Sequence, residues 1–403
     1  MEKRYIIGPK ETKPRSDIRI TYTPGKTPLS FDLSSKVDTL FGKSILDQAD
    51  TVCKDLGITS GEFLIDDFGA LPFVISSRLE AVIKAAHPGI TAESLPKIKY
   101  CCKGGSERNR IRRSRLYIPG NQPKLMLNAG IHNPDGIILD LEDAVAPAEK
   151  ESTRYIVRNA LRTLDFFGAE RMVRINQGEM GLRDLEFVVP HNVHLVLVPK
   201  VESGEQLMAA DEKISEICKN CGRTDPVFLM PIIESGRGVL KALEIAEASP
   251  NNVALAIGLE DYTADIGTKR TQGGRESFFA RSMVVNAARA AGLQAIDSVF
   301  SDVGNEDALR ESVREAKDLG FDGKGCIHPR QIRPVNEEFA PSISEIEKAK
   351  KIVLAFDEAE SKGLGVVSLG LKMIDAPVVK RAAQVIDLAV ISGLLSKDWK
   401  IHE

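Results

Sequence analysis

Two carboxylates stand where chemistry is easiest to imagine. The apolar run Phe228-Leu229-Met230-Pro231-Ile232-Ile233 ends in Glu234, and a second apolar run ending at Gly258 is followed by Glu260 and Asp261. A carboxylate at the end of a buried strand is costly unless it is paired or holds a metal. Taken singly, Glu234 or Asp261 could be a salt-bridge partner or a helix N-cap. On adjacent strands at one rim, the two suit a shared hard cation such as Mg2+, which prefers oxygen ligands. The six histidines (His87, His132, His191, His194, His328 and His402) form no zinc-ligand pattern, and Cys218-x-x-Cys221 lacks a second pair to close a tetrahedral site.

Other strand ends carry polar groups as well. In Asp140-Leu141-Glu142-Asp143, alternation along an extended segment puts Asp140 and Glu142 on one face, where they could hold metal-bound water, while Asp143 could cap a following helix. Arg174 leaves an apolar strand and needs an anion, either one of these carboxylates or a substrate oxygen. Arg112-Arg113-Ser114-Arg115 could be a solvated basic patch. Its place at the first strand, with Pro119, Gly120 and Lys124 beyond, also suits the phosphates of a nucleotide-like ligand.

To converge, these groups need a common frame. Eight short runs, Leu116–Ile118, Gly136–Leu141, Met172–Asn176, Leu195–Lys200, Val227–Glu234, Val253–Gly258, Leu293–Ser298 and Gly325–His328, alternate with helical segments such as 236–248, 280–291 and 306–319. Eight strand-helix units in about 230 residues match a TIM (β/α)8 barrel, whose strand C-termini share one face. A doubly wound sheet is the rival, but no Gly-x-Gly-x-x-Gly follows an early strand. Residues 1–98 read as a small α+β domain: strands at 18–22 and 29–33 around a Pro24-Gly25 turn, a helix from Val37 to Leu56, strands at 62–65 and 73–75, and a helix over 77–86. Residues 99–110 read as a linker, 111–340 as the barrel and 341–403 as a helical C-terminal arm.

Composition narrows the partners. Lys+Arg 54 against Asp+Glu 57 gives a formal charge of -3, which provides no general field for nucleic acid or an anionic membrane. No run approaches the ~20 apolar residues of a membrane span. Met1-Glu2-Lys3-Arg4-Tyr5 leads into polar sequence without a signal-peptide core, and six cysteines are too few for a disulfide scaffold, so a cytoplasmic address is expected.

A set of ordered motifs is more specific: Arg113-Ser114-x-Leu116-Tyr117-x-Pro119-Gly120, Leu139-Asp140-Leu141-Glu142-Asp143, Val173-Arg174-Ile175-Asn176, Pro199-Lys200, Ile233-Glu234-Ser235, Gly258-x-Glu260-Asp261-Tyr262, Gln294-Ala295-Ile296-Asp297, His328-Pro329-x-Gln331-Ile332 and Met373-Ile374-Asp375-x-Pro377. Together they resemble the citrate lyase β-subunit family, which includes malyl-CoA and citramalyl-CoA lyases. The resemblance implies reversible cleavage of a 3-hydroxyacyl thioester into an acetyl thioester and a 2-oxo acid, with Mg2+ on Glu234 and Asp261, and Arg174, Glu142 and Asp375 in the chemistry. It further implies CoA, or a CoA-derived group, held near Arg113, Pro119, Gly120 and Lys124, and Asp375 supplied by a neighbour in a homo-oligomer, a trimer or hexamer. An aldolase acting on free 2-oxo acids and a non-catalytic scaffold subunit are the rival readings.

Asp67-Phe68-Gly69-Ala70-Leu71 with Ser77-Arg78-Leu79-Glu80-Ala81 is similar to the citrate lyase γ subunit, an acyl carrier protein. That carrier holds its prosthetic group on a Ser two residues before an Asp. Counting back from Asp17 reaches Arg15, with Ser16 one place late. An unmodified relic is therefore expected rather than a loaded carrier, and a citrate lyase α-type subunit is a partner only if the carrier function survives.

Overall fold

The computed structural model describes residues 3–10, 14–361, 367–369, 372–374 and 376–402. The N-terminal domain is a sheet of β1 (Tyr5–Ile7), β2 (Ile18–Pro28), β3 (Ser30–Ser35) and β4 (Ser60–Asp67) in the order β1-β2-β4-β3, with β3 parallel to β4 and the other pairs antiparallel. Ile18, Ile20 and Tyr22 alternate inward and are buried, and Tyr22 stacks on Phe63 with ring centroids 4.2 Å apart. Two expectations are corrected. Pro24-Gly25 is not a turn but part of an irregular stretch within β2, and β3 pairs with β4 rather than with β2. Phe73–Ile75 is not a strand but the first turn of the helix Pro72–Ala86, which Pro72 starts with a φ suited to a helix. That helix is buried on most sides, so its opening reads as an unbroken apolar run.

The expected barrel is present. Strands β5 (Ser114–Pro119), β6 (Gly136–Asp140), β7 (Glu170–Arg174), β8 (Leu195–Val198), β9 (Phe228–Ile233), β10 (Ala254–Ile257), β11 (Gln294–Asp297) and β12 (Gly323–Cys326) are parallel and closed, with β12 pairing back to β5. Their alternation feeds two cores. Ile137, Leu139, Val173 and Val196 face the surrounding helices, whereas Ile138, Met172, Leu197, Met230 and Ile232 fill the interior. The helix expected over 236–248 is two pieces, Gly236–Leu240 and Ala242–Glu247, interrupted at Lys241.

The two domains share buried charge. Helix Pro72–Ala86 packs on helix Lys150–Thr163, where Arg158 donates to Glu80 at 2.5 and 3.1 Å, both side chains being 0% exposed. Asn159 donates to Ser76 Oγ at 3.1 Å beside them. The segment expected as a linker is strapped beneath the barrel: Arg171 at the start of β7 donates to the carbonyls of Cys101 and Gly104, and Ser106 donates to Glu170 at 2.5 Å. The tail comprises helix Ile343–Ser361, the hairpin β13 (Val367–Leu369) and β14 (Lys372–Ile374), and helix Ala376–Ile391. Ala349, Ile352, Val353, Ala382 and Ile386 give its two helices a small core of their own. Ser392 accepts from Arg113 at 3.2 Å, and Lys380 and Gln384 border a cleft with Leu293 and Gln294. These contacts place the tail at the N-terminal end of its own barrel.

Glu80→Ala removes the buried one of the two carboxylates on Arg158, leaving only the half-exposed Glu93 at 2.9 Å, and should cost about 3 kcal/mol in chemical denaturation, whereas replacing Glu80 and Arg158 together by methionine should recover much of that loss. An unfolding midpoint for Glu80→Ala equal to the unsubstituted chain's would show that this pair does not hold the seam.

Candidate active site

The strand C-termini enclose a cavity of about 330 Å³ bordered by Arg115, Tyr117, Pro119, Arg174, Glu234 and Asp261. Glu234 follows the last residue of β9 and lies over the end of β10. A Cβ on Gly258 would meet Glu234 Oε1 at 2.3 Å, so the missing side chain makes room for the carboxylate. Glu234 Oε2 accepts from the backbone N–H of Lys200 at 3.0 Å. Lys200 itself has φ +50°, a left-handed conformation that costs a non-glycine residue about 1–2 kcal/mol. Its ammonium lies 3.3 Å from Asp143, 3.4 Å from Asp261 and 3.6 Å from Glu142. The strand-end position of Lys200 was visible in the sequence, but its role as the hub of three carboxylates was not.

Arg174, at the end of β7, meets a structural partner after all. It donates to both oxygens of Asp140 at 2.8 and 2.6 Å, pairs with Glu142 at 2.9 Å, and lies over the Tyr117 ring at 5.4 Å. Burial opposes its charge, but the hydrogen bonds and charge of Asp140 outweigh that and raise its pKa. Asp140 is thereby committed to protein partners: it also accepts from the backbone N–H groups of Glu142 and Ala144, so it anchors the turn. Asp143 caps no helix; it borders the cavity, and Lys200 outweighs burial in holding its pKa down.

Crowding shows in the remaining acids. Burial, then the charge of Asp261, pushes Glu234 up to about 7 against the pull of the Lys200 N–H. Burial likewise raises Glu142 despite Arg174 beside it. A buried carboxylate whose pKa is raised by a second carboxylate beside it fits a hard divalent cation, and Mg2+ commonly takes only one or two protein carboxylates. The described residues contain no group of three His, Cys, Asp or Glu side chains arranged around a metal position.

The remaining sequence-selected residues are scattered. Pro119 borders the cavity, but Gly120 is a packing glycine whose Cβ would strike the Asp140 carbonyl at 2.6 Å. Arg113 precedes β5 at the opposite end of the barrel and is spent on Asp135 at 2.9 and 3.0 Å, so it does not join the site. Lys124 borders a second cavity, of about 220 Å³, between the two domains, together with Lys10 and Arg15. Asp297 is locked between Lys324 at 2.6 Å and Arg281 at 3.2 Å, and the His328 side chain caps a turn by accepting from Arg330 N–H. All six cysteines are free, and Asp375 lies outside the described residues.

Residues 113–329 match the family described as HpcH/HpaI aldolase/citrate lyase. The chain belongs to that family. It is accordingly a carbon–carbon lyase, and the barrel with its acidic rim is the part of the chain that the HpcH/HpaI match covers. Citrate lyase subunit beta of Haemophilus influenzae is 44% identical over 283 residues, covering 70% of this chain and 97% of that protein. The mitochondrial citramalyl-CoA lyase of Mus musculus is 33% identical, covering 79% of this chain and 94% of that protein. A crystal structure of CitE from Mycobacterium tuberculosis in complex with magnesium, acetoacetate and coenzyme A superposes with a TM-score of 0.58 at 30% identity, over 70% of this chain and 99% of that one. Residues 12–86 match the malonate decarboxylase delta subunit, an acyl carrier family, so a carrier-like domain is fused to the lyase barrel. Among the described residues, no helix is long and apolar enough to cross a membrane.

The raised Glu234 gives a signed pH dependence in metal-free protein. Between about 4.5 and about 7 the folded chain holds this proton and the unfolded chain does not, so the stability the site contributes is present at low pH and is lost as pH rises through that window. Glu234→Gln should therefore stabilise the metal-free chain at pH 8 relative to its effect at pH 4.5, by a difference on the order of 3 kcal/mol. A pH-independent difference in denaturation would contradict the burial assigned to Glu234.

Proposed function

We propose that this chain is a Mg2+-dependent lyase that reversibly cleaves a citryl thioester into an acetyl thioester and oxaloacetate in the cytoplasm. The observation that carries this reading is the pair Glu234 and Asp261, crowded at the strand C-termini over a cavity that also presents Arg174. Glu234 and Asp261 would hold the metal, and the chemistry Mg2+ supplies there is Lewis acidity at the substrate's hydroxyl and adjoining carboxylate.

The bond that breaks joins the hydroxyl-bearing carbon to the carbon beside the thioester. The hydroxyl passes its proton to a carboxylate at the cavity rim and becomes the ketone of the oxo acid, and the electron pair of the broken bond moves onto the thioester as an enolate. Arg174, fixed by Asp140 and Glu142, keeps its charge at the cavity wall and balances negative charge developing on oxygen. Glu142 in turn holds Arg174 in place, and Lys200 holds Glu142, Asp143 and Asp261 in one cluster. Asp375 delivers the proton that turns the enolate carbon into an acetyl methyl group. The helix immediately after it docks at the end of the barrel away from the cavity, which supports a neighbouring subunit, in a trimer or hexamer, as the site Asp375 serves.

The thioester is CoA rather than a self-carried group. Arg15 stands at the expected attachment position, and Ser16 is held by its N–H on the Phe68 carbonyl next to the buried Asp17–Arg78 pair. Lys124, Arg15 and Lys10 around the seam cavity offer three cations for phosphates where Arg113 cannot. A citrate lyase α-type partner is not needed on this reading.

Glu234→Gln and Asp375→Asn should each lower turnover at least ~100-fold. Equal mixing of the two inactive proteins under subunit exchange should restore about a quarter of full activity, because that share of interfaces combines an intact metal site with an intact acid. No restoration despite demonstrated mixing would place Asp375 in its own barrel or outside the chemistry.

A further inference from the structure

Arg115 is a buried arginine that lacks an anion; Arg171 lacks one too, but its guanidinium is spent on the carbonyls of Asn192, Cys101 and Gly104. Arg112, Arg154 and Arg158 are comparably buried, and each holds a carboxylate, Glu170, Asp184 and Glu80 respectively. Arg115 is 1% exposed, its Nε has no hydrogen-bond partner, and its Nη1 meets only the Met230 thioether at 3.1 Å. Among the described residues it makes no ion pair. Asp297, which also borders the cavity, is already committed to Lys324 and Arg281.

The strand places this side chain. Residues 115 and 117 share a face of β5, and Tyr117 packs with the barrel interior, so Arg115 also points inward, one layer deeper. Both border the catalytic cavity, together with the apolar Ile232 and Ala256. The cavity therefore has acids and Arg174 at its rim and one uncompensated guanidinium deeper among apolar groups. An uncompensated buried charge is costly and is stable where a ligand completes it.

We propose that Arg115 receives a second carboxylate of the substrate, so that the oxo acid half is a dicarboxylate. This rests on the lyase reading above and names the residue that selects its oxo acid. With the 2-oxo acid's ketone and first carboxylate at the rim, a carboxymethyl arm reaches down to Arg115. The hydrogen of glyoxylate or the methyl of pyruvate leaves the guanidinium unmatched. Selection then follows from an unpaired buried group that rejects the analogue lacking its partner.

The test compares oxaloacetate with pyruvate in condensation with acetyl-CoA and Mg2+, alongside thermal shifts by each oxo acid alone. The unsubstituted enzyme should prefer oxaloacetate. Arg115→Met should reduce the oxaloacetate-to-pyruvate ratio of kcat/KM by about 30-fold or more, mainly through lost oxaloacetate binding. Arg115→Lys should keep an intermediate preference, and the ligand-free Arg115→Met protein should melt no lower than its parent. Equal losses with both acids, or a parent enzyme indifferent between them, would overturn the assignment. If neither acid is turned over by the parent, the lyase reading fails first. Thermal shift then decides for Arg115: stabilisation by oxaloacetate that disappears in Arg115→Met supports it, and equal stabilisation of both proteins overturns it.

Discussion

Like-charge crowding at the strand C-termini is the constraint around which the site is built. Glu142, Asp143, Glu234 and Asp261 approach one another closely enough that burial and mutual repulsion raise Glu142 and Glu234. Two fixed cations make the arrangement tolerable: Arg174 between Asp140 and Glu142, and Lys200 among Glu142, Asp143 and Asp261. Backbone geometry is bent to the same end, since Lys200 takes a left-handed conformation and Gly258 gives up a side chain so that Glu234 can lie over β10. A barrel suits this because strands from distant parts of the chain deliver their last residues to one rim while the packed interior holds them still.

The opposite end of the barrel spends its charges differently. Arg112 on Glu170, Arg113 on Asp135 and Arg171 on the strap carbonyls are spent on holding the chain together. The N-terminal domain is tied to the barrel by a fully buried ion pair, Glu80 to Arg158, and not by a flexible tether. A carrier that must move its cargo between sites would be poorly served by such a seam. A fixed wall beside the catalytic face, with Arg15 and Lys10 facing Lys124, is well served by it.

The barrel was legible because parallel strands buried on both faces leave near-continuous apolar runs, and each run ends where the chain meets solvent and chemistry. Glu234 and Asp261 stood out for that reason. Arg113 and Arg115 were not separable in the same way: one residue of register decides whether a side chain enters the barrel, and the exact start of β5 is not written in Arg112-Arg113-Ser114-Arg115. Lys200 was hidden for a related reason, because its reach depends on a turn with φ +50° that no residue type there announces. The misassigned strand at Phe73–Ile75 shows the converse, a helix buried on so many sides that its periodicity disappears.

The account stands or falls on one cation held by two carboxylates. Calorimetric titration of the metal-free chain with Mg2+ at pH 8 tests this without turnover. One Mg2+ per chain is expected, with binding abolished by Glu234→Gln and by Asp261→Asn and preserved when Arg113 is replaced by methionine at the far end of the barrel. Undiminished Mg2+ binding in either carboxylate variant would contradict the account.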